Sequence, residues 1–361
     1  MPPAGAASVL READAGVIGT SRQAWVGTRR CVTWSTVPVQ CIGRRRRELR
    51  PAVPARLRCA ARADPRDVTR TRHEEKDIMS TYLADKAEDL IVEGPSARFT
   101  YRRMGPQGGV PLVLLNRFRG TIDWWDPEFL DYLAADHDVI VFDNVGVGYT
   151  DGEPRDSLEG FAQGAIEFID ALGLAQADLL GWSLGGIVAQ RVAVRRPELV
   201  RKVVVAGSGP AGWVPDAPPF SEKVLGIMAK PDADLEDMLY LFYPETETAR
   251  ASGREHFDHV ATRLAAGGPA VSEAAAQGML TAAATLLAAP FDEVVAELEA
   301  IKQPVLYANG LHDVMIPAHN SYVAVQHLDN ATLVLYTGAG HAFLFQYAKA
   351  FTRQVADFLA A

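Results

Sequence analysis

Cysteine is scarce: the 361 residues contain three, Cys31, Cys41 and Cys59, and all precede Met79. The rest of the chain therefore has no thiol, which excludes a disulfide framework, a cysteine nucleophile and thiolate metal sites there. Long apolar runs are missing too. The least polar stretch, 278–291, is interrupted by threonines and falls short of the roughly 20 residues a membrane span requires. Basic charge is confined largely to the beginning. Before Met79, 15 arginines and one lysine face eight acids; from Met79 onward, 20 basic residues face 37 acidic ones. A surface that acidic repels nucleic-acid phosphates. The expectation is a soluble, cytoplasmic protein that binds neither membrane nor nucleic acid.

Hydrophobic residues make up 48% of the chain and charged residues 22%, which is enough apolar material for a packed core and excludes wholesale disorder. Residues 1–78, rich in Arg, Pro and Ala, lack any sustained period of 2 or 3.6. The run Arg44 to Arg47 has the composition of a basic patch, Glu12 and Asp14 argue against a transit peptide, and no secretory apolar core follows the N-terminus. We read 1–78 as a disordered leader or upstream extension and 79–361 as the folded domain.

Within that domain, short apolar runs bounded by Gly, Pro or Asp predict strands over 111–116, 139–143, 177–180, 200–206, 305–308 and 331–336. Amphipathic stretches over 158–172 and 184–195 predict helices between them. This alternation predicts an α/β fold with a mostly parallel central sheet covered by helices on both faces. It breaks over about 212–290, where helices are predicted at 221–228, 235–242, 256–265 and 271–287, so this segment reads as an inserted helical cap.

The sharpest chemical signal is Gly181-Trp182-Ser183-Leu184-Gly185, the only G-x-S-x-G in the chain, set between a predicted strand and a predicted helix. A serine that must turn between strand and helix adopts a strained backbone, and small residues two before and two after it relieve the crowding. Its hydroxyl is a poor nucleophile at neutral pH without a histidine to take its proton and an acid to orient that histidine. Both follow in order, each after a predicted strand: Asp313 in Gly310-Leu311-His312-Asp313-Val314-Met315-Ile316-Pro317, and His341 in Gly338-Ala339-Gly340-His341-Ala342.

With these motifs the chain resembles the α/β-hydrolase superfamily over about 97–360, and among its capped, serine-nucleophile members it is similar to enol-lactonases, esterases and cofactor-free haloperoxidases. The resemblance implies the α/β-hydrolase fold, with Ser183 as nucleophile, Asp313 as acid and His341 as base. It also implies an oxyanion hole made by the backbone N–H groups of Leu184 and Phe118. The loop after the third strand of the pattern departs from the family's common His-Gly, carrying Asn116-Arg117 instead. The glycine-rich segment from Phe142 to Thr150 is similar to a family turn and contains no G-x-G-x-x-G, which argues against a nucleotide site.

The activity implied is hydrolysis of a carboxylic ester or lactone through an acyl-enzyme, with no cofactor and no metal. Carbon–carbon bond hydrolysis and cofactor-free haloperoxidase or perhydrolase chemistry stand as alternatives on the same triad, and a non-catalytic ligand-binding protein on a hydrolase fold stands as an alternative from another class. The partner is a small-molecule substrate; the oligomeric state is not readable. Asn116, Arg117, Trp182, Tyr240 and Phe242 are candidates for the substrate pocket. Arg117 and Arg119 are expected to be exposed or structurally paired, with a substrate-carboxylate clamp as the alternative. Asp216 is a weaker candidate acid, His312 is expected to face solvent or bond within its loop, and the His256 and His259 pair has no third residue spaced to complete a metal site.

Overall fold

The computed structural model describes residues 81–361 except Pro231, so the readings made for 1–78 lie outside the described residues. Eight strands form one sheet: β1 (Leu90–Glu93), β2 (Arg98–Met104), β3 (Leu112–Leu115), β4 (Val139–Phe142), β5 (Ala177–Trp182), β6 (Val200–Ala206), β7 (Val305–Gly310) and β8 (Ala331–Tyr336). Their order across the sheet is β1-β2-β4-β3-β5-β6-β7-β8. β2 is antiparallel to both β1 and β4, and every other pairing is parallel. The mostly parallel sheet expected from the sequence is therefore present, with an antiparallel extension at one edge.

Strand composition dictates the layering. In β3, Leu112 and Leu114 enter one core while Val113 and Leu115 enter the other, and β4 divides in the same way between Val139 and Val141 on one side and Ile140 and Phe142 on the other. A strand with apolar residues at every position must be covered on both faces. α2 (Leu158–Ala171) and α3 (Leu184–Arg195) cover the face of Val113, Leu115, Ile140 and Phe142. α1 (Pro127–Ala134), α10 (Phe343–Gln346) and α11 (Ala348–Ala360) supply the core of the other.

Local signals set the helix starts. The Asp126 carboxylate accepts from the Glu128 and Phe129 N–H groups ahead of Pro127, and the Ser157 side chain accepts from Gly160 N–H at the start of α2. Between β6 and β7 run α4 (Glu222–Met228), α5 (Leu235–Phe242), α6 (Glu247–Ala265), α7 (Glu273–Leu287) and α8 (Phe291–Ala300); α9 (Ala318–Val325) follows β7. α6 begins nine residues before the helix read at 256–265. Its buried stripe is Ala249, Gly253, His256 and Val260, which has helical spacing but little hydrophobicity. Among the described residues no single helix is long and apolar enough to cross a membrane.

Candidate active site

β5 ends at Trp182 and α3 begins at Leu184, so Ser183 alone makes the turn from strand to helix. Its backbone sits at φ 57°, ψ −120°, a region that costs an L-residue about 1–3 kcal/mol. The flanking glycines explain how the turn closes. A Cβ on Gly181 would lie 2.1 Å from the Gly185 carbonyl oxygen, and one on Gly185 would lie 2.1 Å from that of Leu115. Bare backbone at 181 and 185 thus lets β5, α3 and the end of β3 meet at van der Waals distance. Ser183 is tied down by its N–H, which donates to Ala206 O at 2.9 Å, and by its carbonyl, which accepts from Ser208 Oγ at 2.7 Å.

Asp313 and His341 come from the loops after β7 and β8, and the two side chains are buried together. His341 Nδ1 lies 2.7 Å from Asp313 Oδ2. The other carboxylate oxygen, Oδ1, accepts from the N–H groups of Met315 and Ile316, both at 2.8 Å. A carboxylate oxygen accepts, so Nδ1 is the donor in this pair and Nε2 is left to accept. His341 also packs against the residue preceding the serine: its carbonyl accepts from Trp182 Nε1 at 3.1 Å, and the two ring centroids are 5.8 Å apart. His312 and Asp216 are both exposed and take no part in this cluster.

The loop after β3 approaches the elbow from the other side. Gly120 N–H donates to Arg117 O at 3.1 Å, closing a turn in which Arg119 has φ 54°. Arg119 N–H points at Met279 Sδ, 3.2 Å away, and Arg119 Nη1 donates to Lys230 O at 2.6 Å, so the loop is joined to α7 and to the end of α4. Among the described residues neither Phe118 N–H nor Leu184 N–H has an acceptor within the protein. Phe118 and Leu184 line the same cavity as Ser183.

That cavity, of about 290 Å³, corrects the sequence reading of the pocket. Its walls come from the segment after β6, from α4, from α7 and from the loop after β7, and among the described residues no charged side chain lines it. Apart from the Trp213 indole, its polar side chains are Ser183 and Asn320. None of Asn116, Arg117, Trp182, Tyr240 and Phe242 is among the lining residues. Trp182 packs into the core on the opposite face, against Trp125, Phe242 and Phe345. Tyr240 is half-buried beneath Lys223 Nζ, 3.4 Å from its ring centroid. Asn116 and Arg117 border a separate void of about 30 Å³ behind the elbow.

Arg117 also departs from the expectation of an exposed or paired arginine. It is 5% exposed and no carboxylate among the described residues pairs with it.

The lining that sequence reading missed was encoded in α7. Ala275, Met279, Ala282 and Leu286 form one apolar stripe in the core, and Met279 and Leu286 also line the cavity together with Leu280, Ala283, Ala284 and Leu287. A helix apolar on two faces has two partners to satisfy. The histidines on α6 have protein partners: His256 Nδ1 lies 2.8 Å from the Tyr243 hydroxyl, and His259 bridges Asp126 and Tyr82.

Comparison with known proteins agrees with this architecture. The family model described as alpha/beta hydrolase fold matches residues 110–347. A protein of Pseudomonas savastanoi pv. phaseolicola named "Putative carbamate hydrolase RutD" is 30% identical over 251 residues, covering 69% of this chain and 93% of that protein. The 2-hydroxymuconate semialdehyde hydrolase of Pseudomonas sp. strain CF600 is 31% identical over 274 residues, covering 70% of this chain and 87% of its own. Among solved structures, an alpha/beta hydrolase fold protein from Chitinophaga pinensis superposes with a TM-score of 0.68 at 28% identity, covering 76% of this chain and 98% of that one. The chain belongs to the alpha/beta hydrolase family.

Proposed function

We propose that this hydrolase cleaves a neutral carboxylic ester or lactone bearing an apolar group, through an acyl-enzyme on Ser183. The observation that carries the reading is the position of Ser183: a strained serine on the wall of an uncharged cavity, with a buried aspartate–histidine pair packed against the residue before it. In the proposed cycle His341 Nε2 takes the Ser183 hydroxyl proton as Oγ attacks the carbonyl carbon. Asp313 holds the imidazole by Nδ1 and balances the imidazolium that forms. Phe118 and Leu184 line the cavity and their N–H groups have no acceptor among the described residues, so these two groups are the donors proposed for the oxygen that becomes negative. The imidazolium protonates the leaving alcohol, and a water deprotonated by His341 then releases the acid.

The cavity's chemistry supports a neutral, apolar substrate. A muconate derivative carries carboxylate, and a wall with no cation offers that charge nothing. A small carbamate would leave much of the 290 Å³ unfilled. An apolar acyl or alkyl group gains about 25 cal/mol for each Å² it buries there. The test is labelling by a fluorophosphonate probe alongside turnover of p-nitrophenyl esters, aryl carbamates, lactones and vinylogous diketones, each paired with Ser183→Ala. Single labelling that Ser183→Ala abolishes, with turnover highest on neutral medium-chain esters or lactones, is the expected result. Labelling that survives the substitution would assign the nucleophile elsewhere.

A further inference from the structure

Arg117 is a buried cation without a counter-ion. Its guanidinium carbon lies 4.7, 5.4 and 5.2 Å from the ring centroids of Trp124, Trp182 and Phe242. Nη1 donates to Phe118 O at 2.7 Å, while Nε and Nη2 are buried with no hydrogen-bond partner. Desolvation draws its pKa down to about 9, which leaves it charged at neutral pH. Ring faces attract a cation but are themselves neutral, so they offset part of the desolvation cost and cancel none of the field. That field reaches His256, where it adds to the effect of burial in keeping the imidazole neutral.

Two features aim the charge. Nη1 grips the carbonyl of Phe118, a residue that lines the cavity, and the guanidinium lies against Trp182, the residue before Ser183. Arg117 does not line the cavity, so it cannot clamp a substrate carboxylate there. The negative charge that this cation lacks in the resting protein arises during turnover, on the tetrahedral oxygen beside Phe118 N–H.

We propose that Arg117 is a positioning residue of the oxyanion site, holding the loop on the C-terminal side of Phe118 by that residue's carbonyl and placing an uncompensated positive charge near the oxyanion. The inference rests on the proposed acyl-enzyme chemistry. A neutral ester gains nothing from this charge before attack, whereas the anionic intermediate does, so the effect falls on kcat and spares KM.

The experiment compares wild type, Arg117→Lys and Arg117→Met. It measures kcat and KM on a neutral p-nitrophenyl ester, inhibition by butylboronic acid, which becomes a tetrahedral anion on a serine, and competition by hexanol, which stays neutral. Arg117→Met is expected to lower kcat about 10- to 100-fold and weaken the boronate by a similar factor, less than the loss of a direct oxyanion donor. KM and hexanol competition should stay within about twofold, and Arg117→Lys should recover most of both losses. Unchanged boronate affinity in Arg117→Met would overturn the proposal, as would a lysine variant no better than the methionine one at native melting temperature. If Arg117→Met does not fold, Arg117→Lys decides alone: kcat within about fivefold of wild type supports the role of charge, and a larger loss in a natively folded variant refutes it. Failure of the underlying serine chemistry would appear separately, as a wild-type protein that boronate does not inhibit.

Discussion

Replacing Asp313 by asparagine separates orientation of the base from folding of the loop that carries it. The asparagine carbonyl can take the place of Oδ1 and continue to accept from Met315 and Ile316 N–H, so the loop after β7 keeps both anchors. At the Oδ2 position the new NH₂ can only donate, and His341 Nδ1, 2.7 Å away, must then accept. The ring proton moves to Nε2, which is the nitrogen needed to receive the Ser183 proton. The imidazolium also loses its only charged partner. Such a tautomer swap lowers kcat about 10⁴-fold, equivalent to about 5.5 kcal/mol of transition-state stabilisation. Stability should hardly change, since a neutral, hydrogen-bonded side chain of equal size replaces a buried carboxylate. Steady-state turnover of a p-nitrophenyl ester at neutral pH, read beside a thermal melt, tests both halves. Turnover within tenfold of wild type at an unchanged melting temperature would mean that the orienting acid is not Asp313.

Three further substitutions probe other parts of the fold. Gly185→Ala puts a methyl 2.1 Å from Leu115 O and must push β3 from the elbow, so a loss of about 2–4 kcal/mol of stability together with turnover is expected. Gly226→Ala in α4, where a Cβ meets nothing within 4 Å, should instead be neutral or stabilising by up to about 1 kcal/mol; equal melting temperatures for the two variants would contradict the packing argument. Burial pushes His256 down to about 4, so an unfolded chain takes up its proton near pH 6.5 while the folded one refuses it. Stability is lost as pH falls through that window, on the order of 3 kcal/mol in all. The melting temperature of His256→Gln should therefore fall less steeply from pH 6.5 to 4 than that of wild type, and parallel curves would refute the assignment.

Much of the sheet was legible because its strands are buried on both faces and read as continuous apolar runs. β2, Arg-Phe-Thr-Tyr-Arg-Arg-Met, does not read that way, and its burial depends on partners remote in sequence: Arg102 pairs with the buried Asp123 at 2.7 Å, and Arg103 forms a fork with Asp138. β1, Leu-Ile-Val-Glu, is only four residues long and mostly exposed. The triad candidates were visible because each sits in a glycine-marked loop straight after a strand. The pocket was not, because aromatic residues drew attention while α4 and α7 line it with leucine, methionine and alanine. Arg117 was misread for a related reason: charge predicts exposure, and nothing in Asn116-Arg117-Phe118 announces three aromatic rings from distant segments closing around it.

The order of the strands has a consequence for how the protein is made. A ribosome that has released residues up to β6 has delivered the elbow and the strained serine, but neither the acid nor the base, which follow β7 and β8. β6, Val-Arg-Lys-Val-Val-Val-Ala, must pair with β7 along one edge, and five helices are synthesised before β7 appears. Throughout that interval the nascent chain holds an apolar strand with an open row of backbone donors and acceptors, the kind of edge that recruits another chain. Synthesis halted within the helical segment would leave an inert and adhesive fragment, whereas later synthesis covers that edge with β7, the strand that leads into Asp313, and then adds β8, the strand that leads into His341. In the proposed mechanism, catalytic competence would then come only after the β6 edge has been covered.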